Sequence, residues 1–542
     1  MRLFLGSLTI TLLSYFKIIN GFFQQDEWFG YSEYILRRGF GFDGLLKYFF
    51  APSVVHYTPF TLMTLYSTLS IFGMNYTAHS IISLTLHVVV VILLFNLFKK
   101  IFNSKFLAGI GTLLFASFSS GQQATSWVMA DIGTHCATIF GILSIIFFLD
   151  FLKLKSNNKL YYSFLFLFIS LFFKEITLGL FAIMLFLIWS GGNFKKKEKI
   201  FLIKKIMLCG SAYVLLRLYM IFLTFRLNSY AELVFESQSY AKWLYDFITI
   251  PIKAVSQSIV PIEIMRGLAE FVARLFPQKI SNEVGSPAFE LFVVKRVMEA
   301  VSLVISFMIA FWVLIKKNRS SISTLGLIWI IINSFIFAFS PLRNGITSVI
   351  DSRNLYFVSI GAVLIITTVF SQIRKNNYYI SLIFLLIILI PNLFFLNRNL
   401  DNFVKLGTLR RNILNNITTI LPDIPSKVVI FTQSNQSYYG LPIETKIMPF
   451  QSGFGQTLLA WYYPKVNFPK EFFINRFLWE IDSQGYKEVG DVGFGYYRDL
   501  DLLIKTVKQY NLPNESVIAF SWDGNKNMLR DISEEIRVKI HD

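Results

Sequence analysis

The sequence predicts an all-α membrane protein that crosses the bilayer many times and ends in a small α/β domain. The first observation is composition: 54% of the 542 residues are hydrophobic, 58 of them are Phe, and the mean hydropathy is +0.54. This composition is typical of membrane bundles and excludes an ordinary soluble domain. The second observation is a series of long apolar runs. The third is the return of charge, Gly, Asn and Pro after about residue 397.

Twelve apolar runs occupy most of the chain before residue 397. Most approach the length of about 20 residues that a helix needs to cross the hydrocarbon layer. The runs cover residues 3–22, 57–74, 76–98, 106–121, 132–152, 160–173, 176–190, 200–224, 292–315, 322–340, 355–372 and 378–396.

The basic clusters favour about eleven crossings over twelve. If 57–74 lies at the outer leaflet without crossing, the later basic clusters fall on the side of Arg2, as the positive-inside rule requires. If that run crosses, all of them move to the opposite side. We therefore predict a cytoplasmic N-terminus and an extracytoplasmic C-terminus in the plasma membrane. The clusters are Lys99-Lys100, Lys153 with Lys155, Lys195-Lys196-Lys197, Lys316-Lys317 with Arg319, and Arg374-Lys375.

The net charge of +18 comes from such short clusters. This pattern fits contact with anionic lipid and argues against nucleic-acid binding. The first run has Arg2 before it and no small-residue cleavage site before Gln24, so we predict a retained helix, with a signal peptide as the alternative. Cys136 and Cys209 lie in apolar runs, and a disulfide between them is not expected.

Three regions are predicted outside the membrane. Residues 23–75 contain two juxtamembrane helices, 28–38 and 58–73, and residues 226–290 form a second outer loop of the transmembrane domain 1–396. Residues 397–542 form an α/β domain of their own. Within it, 427–432 and 516–520 are predicted strands, and 472–483, 500–510 and 527–540 are predicted amphipathic helices.

An acidic pair, Asp26-Glu27, follows the first run and directly precedes Trp28 and Phe29. A carboxylate is costly beside a bilayer, so the pair indicates chemistry at the membrane surface. The alternative is a solvated loop end in an aromatic belt. Adjacent side chains diverge and cannot aim at one atom. Of these two candidate catalytic residues we favour Asp26 as the base and Glu27 as a structural or orienting neighbour.

Other polar residues reach the same predicted outer face from distant segments. Asp131 either caps the helix that starts at 132 or supplies a further acid near the acceptor or a metal. Lys174-Glu175 either form a local ion pair or belong to the site. The remaining candidates are His56, His79, His135, Lys295, Arg296, Arg343, Arg353 and Tyr356.

The histidines raise the question of a metal. His79, His135 and Asp131 are predicted on one face, but their spacing matches no compact ligand motif, and we predict no metal bound by these residues. A divalent cation at the carboxylates stays an open alternative. The chain has no Walker loop, no GxGxxG fingerprint before a helix, no Ser-His-Asp order and no CxxC pair.

Carboxylates and cations at one membrane face fit glycosyl transfer from a polyprenyl-phosphate sugar. The donor's phosphate needs cations, which also stabilise the negative charge that grows as the glycosidic bond breaks. Arg353 is the first candidate and Arg343 the second, with Lys174 and Tyr356 beside them, whereas Lys295-Arg296 are more typical of interface anchoring. Phosphate leaves without a general acid, so one carboxylate base suffices. His56, His79, His135 and Glu175 are candidates for contacting or orienting substrate.

An ordered set of short motifs resembles the GT-C-type integral-membrane glycosyltransferases, in particular the protein O-mannosyltransferase branch and its bacterial relatives. The resemblance covers residues 1–361. Its parts are Asp26-Glu27; His56-Tyr57-Thr58-Pro59-Phe60; Phe72-Gly73-Met74-Asn75 followed by His79 and His87; Trp127 to Asp131; Phe173-Lys174-Glu175-Ile176-Thr177; and Arg353-Asn354-Leu355-Tyr356-Phe357-Val358-Ser359-Ile360-Gly361.

Such a resemblance implies a GT-C-type domain over 1–396, a lipid-phosphate-monosaccharide donor, an outward-facing site and inversion at the anomeric carbon. It also implies a base from the first loop, which falls on Asp26. The chain departs from the pattern at Thr58, where the branch has Arg, and at Ser83, where it has Asn. Gln122-Gln123 replaces a His-Pro pair, and no TPR array follows. A mannose donor is therefore not predicted.

Two other classes of function stay open. A transporter or lipid flippase would show charges inside the membrane or broken helices, and Arg217 within 200–224 is the main such charge. A non-catalytic assembly protein would bind a partner through 397–542. For the enzyme, the predicted partners are a polyprenyl-phosphate-linked sugar, membrane lipid and an acceptor that is a protein, a lipid or a cell-wall glycan.

Overall fold

The computed structural model describes residues 2–37, 46, 56–191, 194–227, 240–275, 287–315, 320–339, 348–438, 444–450, 453–480 and 483–541. The chain divides into two units. The helical unit contains Met1–Phe16, Lys47–Thr64 and Ser80–Leu400. The mixed unit contains Lys17–Leu46, Leu65–His79 and Asp401–Asp542. Parts of the first predicted outer loop thus group with the C-terminal region, although the sequence places that loop in the domain 1–396.

Each predicted apolar run coincides with a helix. The helices up to residue 420 are Arg2–Tyr15, Gln25–Arg37, Pro59–Phe72, Tyr76–Phe102, Lys105–Ser117, Gln123–Ser126, Ile132–Leu154, Asn157–Phe173, Leu180–Gly191, Lys196–Leu227, Tyr240–Gln257, Ile262–Arg274, Pro287–Phe292, Met298–Leu314, Ser321–Ser334, Ser352–Asn376 and Tyr378–Ile420. The last of these continues past the predicted domain boundary at 396.

Within the described residues, seven helices are long and apolar enough to cross a membrane. The number is eight if the pair Ala241–Gln257 and Ile262–Arg274, bent by 108°, counts as one span. Lys105–Ser117, Glu175–Ser190 and Met298–Leu314 are shorter apolar helices. The series of long apolar helices expected from composition is thus confirmed, while the number of eleven crossings stays a prediction.

The helix Pro59–Phe72 is short, as expected for the run that was predicted not to cross. Its 14 residues extend about 21 Å at about 1.5 Å per residue. This is less than the hydrocarbon thickness of about 30 Å.

Two hairpins of the helical unit place the residues that matter below. The helices Ile132–Leu154 and Asn157–Phe173 pack together through small polar side chains, with Ser170 Oγ donating to Ala137 O at 2.6 Å. The helices Ser321–Ser334 and Ser352–Asn376 cross at Gly326 and Gly361, where an added Cβ would meet the opposite carbonyl oxygen at 2.6 and 2.5 Å respectively. Such close backbone contact is typical of small residues at membrane helix crossings.

The mixed unit contains a five-stranded sheet in the order β2-β3-β1-β4-β5. The strands are β1 (Lys427–Ser434), β2 (Gly485–Val489), β3 (Val492–Tyr497), β4 (Val517–Asp523) and β5 (Met528–Asp531). β1 lies parallel to β3 and β4, and the two edge strands are antiparallel. Further helices are Phe454–Val466, Arg476–Trp479, Leu500–Tyr510 and Ser533–His541.

Helices cover both faces of this sheet. Val429 and Phe431 of β1 share a buried cluster with Leu503 and Ile536. On the opposite face, Gly455 of the helix Phe454–Val466 lies so close to β3 that a Cβ would meet Tyr496 Cβ at 2.9 Å. Since successive strand residues point to opposite faces, the domain is a three-layer α/β/α sandwich.

The predicted α/β class, the strands 427–432 and 516–520 and the helix 500–510 are confirmed. The helix 472–483 is wrong as a continuous element, since only Arg476–Trp479 is α-helical among its described residues. A 3-10 turn, Lys470–Ile474, ends at Asn475, whose amide donates back to the carbonyl oxygens of Glu471 and Phe472, each at 2.9 Å. The helix 527–540 is wrong in its first half, which forms β5, and correct from Ser533 onward.

Candidate functional site

Asp131 and Lys174 meet because one helical hairpin joins them. Asp131 stands just before Ile132–Leu154, and Lys174 follows the returning helix Asn157–Phe173. Lys174 Nζ lies 3.0 Å from Asp131 Oδ1 and 2.6 Å from Thr134 Oγ1. Thr134 in turn donates to Asp131 Oδ1 at 2.8 Å. Asp131 occupies the N-cap position, but its side chain makes no capping hydrogen bond. The capping alternative is therefore wrong.

Arg353 brings a second cation to the same carboxylate. It lies in the first turn of Ser352–Asn376, and its Nη1 is 4.0 Å from Asp131 Oδ2. The guanidinium lies over the Trp127 ring, 4.4 Å from the ring centre. Its Nη2 is 3.8 Å from Asp351 Oδ2. Trp127 therefore supports the planar cation from one side, as in a cation–π pair.

We call Asp131, Lys174 and Arg353 the Asp131 cluster. Its carboxylate is buried, whereas its two cations are partly exposed. The Asp131 side chain is 1% exposed, but Lys174 is 17% and Arg353 16% exposed. Burial alone favours the neutral acid, but Lys174, Arg353 and the Thr134 hydroxyl outweigh it and hold the pKa of Asp131 below its usual range. Asp131 Oδ2 accepts no hydrogen bond from any described residue. Lys174 and Arg353 face two carboxylates, those of Asp131 and Asp351, so these four charges balance.

Tyr356 lies one turn after Arg353, and contacts with two buried histidines hold its side chain in place. Its hydroxyl lies 2.6 Å from His87 Nδ1, and its ring centre is 5.1 Å from that of His135. His135 Nε2 in turn lies 3.2 Å from Thr125 Oγ1. Tyr356 and His135 are buried, so as they stand they orient neighbouring groups and do not face an open space.

Glu175 belongs to a different contact from its neighbour Lys174. Its Oε1 accepts the backbone N–H of Tyr57 at 2.6 Å, and its Oε2 lies 3.2 Å from His56 Nδ1. Arg217 Nε lies 3.4 Å from Glu175 Oε1. The local Lys174–Glu175 ion pair is therefore wrong. Glu175 and His56 instead fix the chain just before the helix Pro59–Phe72, and Arg217 has a partner.

Asp26, Glu27 and His79 belong to the mixed unit. The Glu27 side chain is 0% exposed, and its Oε2 accepts the N–H of Gln24 at 2.6 Å. This bond is half of a capping box at the start of Gln25–Arg37. Asp26 lies in the first turn of that helix, but its side chain is outside the described residues. His79 Nε2 lies 2.9 Å from Gly73 O and closes the turn between two helices.

Several candidates lie elsewhere or cannot be placed. Arg343 and the side chain of Lys295 are outside the described residues. Arg296 is exposed in the turn Val293–Val297. In the part of the chain that the structure describes, no three His, Cys, Asp or Glu side chains are grouped to hold a metal ion.

Four contributors were missed as site residues: Trp127, Thr134, His87 and Thr125. The i,i+3 spacing of Asp131 and Thr134 was a usable signal, because such residues meet on a helix face. The contacts of His87 and Thr125 depend on how four helices pack, and no local pattern marks them.

No family model matches the chain, and no curated protein matches it significantly. Among solved structures it is similar to the archaeal oligosaccharyltransferase AglB from Archaeoglobus fulgidus, in complex with an inhibitory peptide and a dolichol-phosphate. The TM-score is 0.39 at 13% sequence identity, and the alignment covers 84% of this chain and 63% of the archaeal one. This chain thus spans less than two thirds of that protein. A similarity of this size assigns neither a fold nor a function.

Proposed function

We propose that this protein is an inverting glycosyltransferase of the outer membrane face. It would move a sugar from a polyprenyl-phosphate donor to an acceptor hydroxyl, with Asp26 as the general base. The acceptor would be a protein, a lipid or a cell-wall glycan.

The observation that carries the proposal is the Asp131 cluster. Asp131, Lys174 and Arg353 are far apart in sequence, and each stands at the end of an apolar helix. Helix ends are where the headgroup of a lipid-linked donor lies. The partial exposure of both cations suits an anionic phosphate.

The cations would act most strongly in the transition state. As the bond between the sugar and the phosphate breaks, negative charge accumulates on the phosphate oxygens. Lys174 offers a point charge, whereas Arg353 offers a planar fork held in place by Trp127. Asp131 would orient both cations.

The same geometry makes Asp131 a poor base. A carboxylate whose pKa is lowered by two cations binds a proton weakly, whereas a general base is most effective with a pKa near the working pH. The base is therefore assigned to Asp26, in agreement with the resemblance of the first loop. The Glu27 carboxylate accepts a hydrogen bond at the start of its helix, so we assign Glu27 a structural role.

The test uses the full-length protein in lipid nanodiscs and a panel of polyprenyl-phosphate-linked sugars. The measurement is release of polyprenyl phosphate by the wild type and by Asp26→Asn, Lys174→Ala and Arg353→Ala. Arg266→Ala is the matched control, because Arg266 is an exposed cation paired with Glu270. Release that depends on Asp26 and on both cations, but not on Arg266, would support the proposal. Equal release of polyprenyl phosphate by the wild type and Asp26→Asn would show that Asp26 is not the base. If the wild type releases no polyprenyl phosphate from any donor, even with an extract that supplies acceptors, the glycosyltransferase assignment is contradicted.

One observation favours a flippase as the second candidate. The bent pair Ala241–Gln257 and Ile262–Arg274 is a broken apolar element. Inside it, Lys253 Nζ lies 2.5 Å from Glu299 Oε1, and the Lys253 side chain is fully buried. Broken helices and buried charges are typical of transporters. Movement of a labelled polyprenyl-phosphate sugar across proteoliposomes, without release of the sugar, would favour this alternative.

A further inference from the structure

We propose that the C-terminal region sets the position of Asp26, and that Gly407, Arg410, Arg411 and Trp461 are positioning residues for transfer. We call these four residues the loop anchor. The inference rests on the proposed function only in its last step, from position to rate.

The first contact is with the backbone that leads into the helix Gln25–Arg37. Arg410 Nε donates to Phe23 O at 3.1 Å, and Arg411 Nη2 donates to Gly21 O. The Arg411 guanidinium also lies over the Phe22 ring, 5.2 Å from its centre. Arg410 is 3% exposed. Two consecutive arginines thus hold three consecutive loop residues, so the loop cannot slide along the helix that carries them.

The second contact is a close backbone crossing. One turn before Arg411, a Cβ on Gly407 would meet Phe22 N at 2.6 Å and Gly21 C at 3.0 Å. Both obstacles are backbone atoms, which cannot rotate away as a side chain can. Only glycine allows the helix Tyr378–Ile420 to lie this close to the loop.

The third contact is aromatic and involves Trp461 of the helix Phe454–Val466. The Trp461 ring centre lies 6.0 Å from Phe22 and 6.4 Å from Trp28, with both pairs edge-on. Its indole N–H donates to Thr418 Oγ1 at 2.8 Å, which fixes the ring. Trp28 is buried and stands two residues after Asp26. Trp461 of the α/β domain therefore packs against the same helical turn that carries the proposed base.

Through these contacts, residues some 400 positions later in the chain hold the helix that carries Asp26. Misplacing a reacting group by about 1 Å can lower a rate about a hundredfold. Weakening the loop anchor should therefore lower kcat for transfer. It should leave the donor KM nearly unchanged, because Lys174 and Arg353 are not part of the loop anchor.

The experiment compares wild type, Gly407→Ala, Trp461→Ala and the conservative Trp461→Phe, each full-length in nanodiscs. Gly267→Ala is the matched control, since a Cβ there meets no atom within 4 Å. Hydrogen exchange of residues 21–37 reports how firmly this segment is held, independently of activity. Exchange of β1 shows whether the sheet remains folded, and kcat and donor KM are measured in parallel.

The expected result is faster exchange of residues 21–37 and a kcat about 10- to 100-fold lower in Gly407→Ala and Trp461→Ala. β1 should stay protected, the donor KM should stay within about threefold, and Trp461→Phe should restore most of the rate. Unchanged exchange in Gly407→Ala, or faster exchange with unchanged kcat, would overturn the positioning role alone. An inactive wild type would instead overturn the glycosyltransferase assignment, and the exchange data would then still decide whether the loop anchor holds the loop.

Discussion

The Asp131 cluster and the Asp26-Glu27 pair are built in opposite ways. In the helical unit, two cations from distant segments converge on the carboxylate of Asp131, with Lys174 at 3.0 Å and Arg353 at 4.0 Å. In the mixed unit, two acids are adjacent in sequence, and one of them, Glu27, is buried in a helix cap. Proximity in sequence therefore predicts shared chemistry less well than a common position at helix ends.

The largest effect that sharpens this comparison is expected at the acidic pair. Asp26→Asn should lower transfer about a thousandfold without lowering stability, because general-base catalysis contributes factors of this order. Glu27→Gln should instead lower the free energy of unfolding by about 2 kcal/mol, because it weakens a charged, buried hydrogen bond. Polyprenyl-phosphate release and thermal unfolding of both variants distinguish these outcomes. A large loss of stability in Asp26→Asn would show that both acids are structural.

The next effect is expected at the cations. Arg353→Ala and Lys174→Ala should each lower kcat/KM for the donor about 10- to 100-fold, in line with about 1.5–3 kcal/mol for a charged hydrogen bond. Arg353→Lys should recover only part of this loss, because lysine lacks the planar fork. Initial rates over a range of donor concentrations provide the measurement. An unchanged kcat/KM in both variants would mean that the Asp131 cluster only holds helices together.

A smaller effect is expected at Trp127. Removing the aromatic face with Trp127→Leu should raise the donor KM about 3- to 30-fold, because a cation–π contact contributes about 0.5–2 kcal/mol. Trp127→Phe should fall between the wild type and the leucine variant. The same donor titration measures this change in KM. In the Arg353→Ala background, the Trp127 variants should no longer differ in donor KM. A persistent difference there would indicate that Trp127 acts on something other than Arg353.

The smallest effect is a pH dependence that should be absent near neutrality. The cations hold the pKa of Asp131 below its usual range despite burial, so the stability it contributes is complete above the pKa of the unfolded chain, about 3.9. This stability is lost as the pH falls through the lower pKa of the folded state. The difference in thermal stability between wild type and Asp131→Asn should be constant from about pH 5.5 to 8 and shrink below about pH 4. A change between pH 6 and 7 would contradict the paired, ionised state of Asp131.

The elements were predictable where a local pattern determines them. Apolar runs gave the helices, and the short buried segment at 427 gave β1. The helix 472–483 failed because Asn475 binds nearby carbonyl oxygens and competes with the helical backbone. The helix 527–540 failed because Asn527 takes a positive φ of 49° in a turn that pairs β5 with β4.

The members of the candidate site could be predicted from the sequence, but the contacts between them could not. Asp131, Lys174 and Arg353 could be named because carboxylates and cations from distant segments were predicted at the same membrane face. That Lys174 pairs with Asp131, and Glu175 with His56 and Arg217, depends on which helices are neighbours. Spacing along the chain does not contain this information. The structural role favoured for Glu27 agrees with its hydrogen bond to Gln24 N–H, but a capping box and a surface acid share the same local sequence.

The central position of β1 has a consequence for biogenesis. Val429 in β1 pairs with Val517 in β4, and no hairpin can form this parallel contact early. Until β4 has been synthesised, one edge of β1 presents unpaired N–H and C=O groups between buried Val and Ile side chains. A nascent or truncated chain that lacks β4 would thus expose an unpaired strand edge, which favours proteolysis or pairing with another chain.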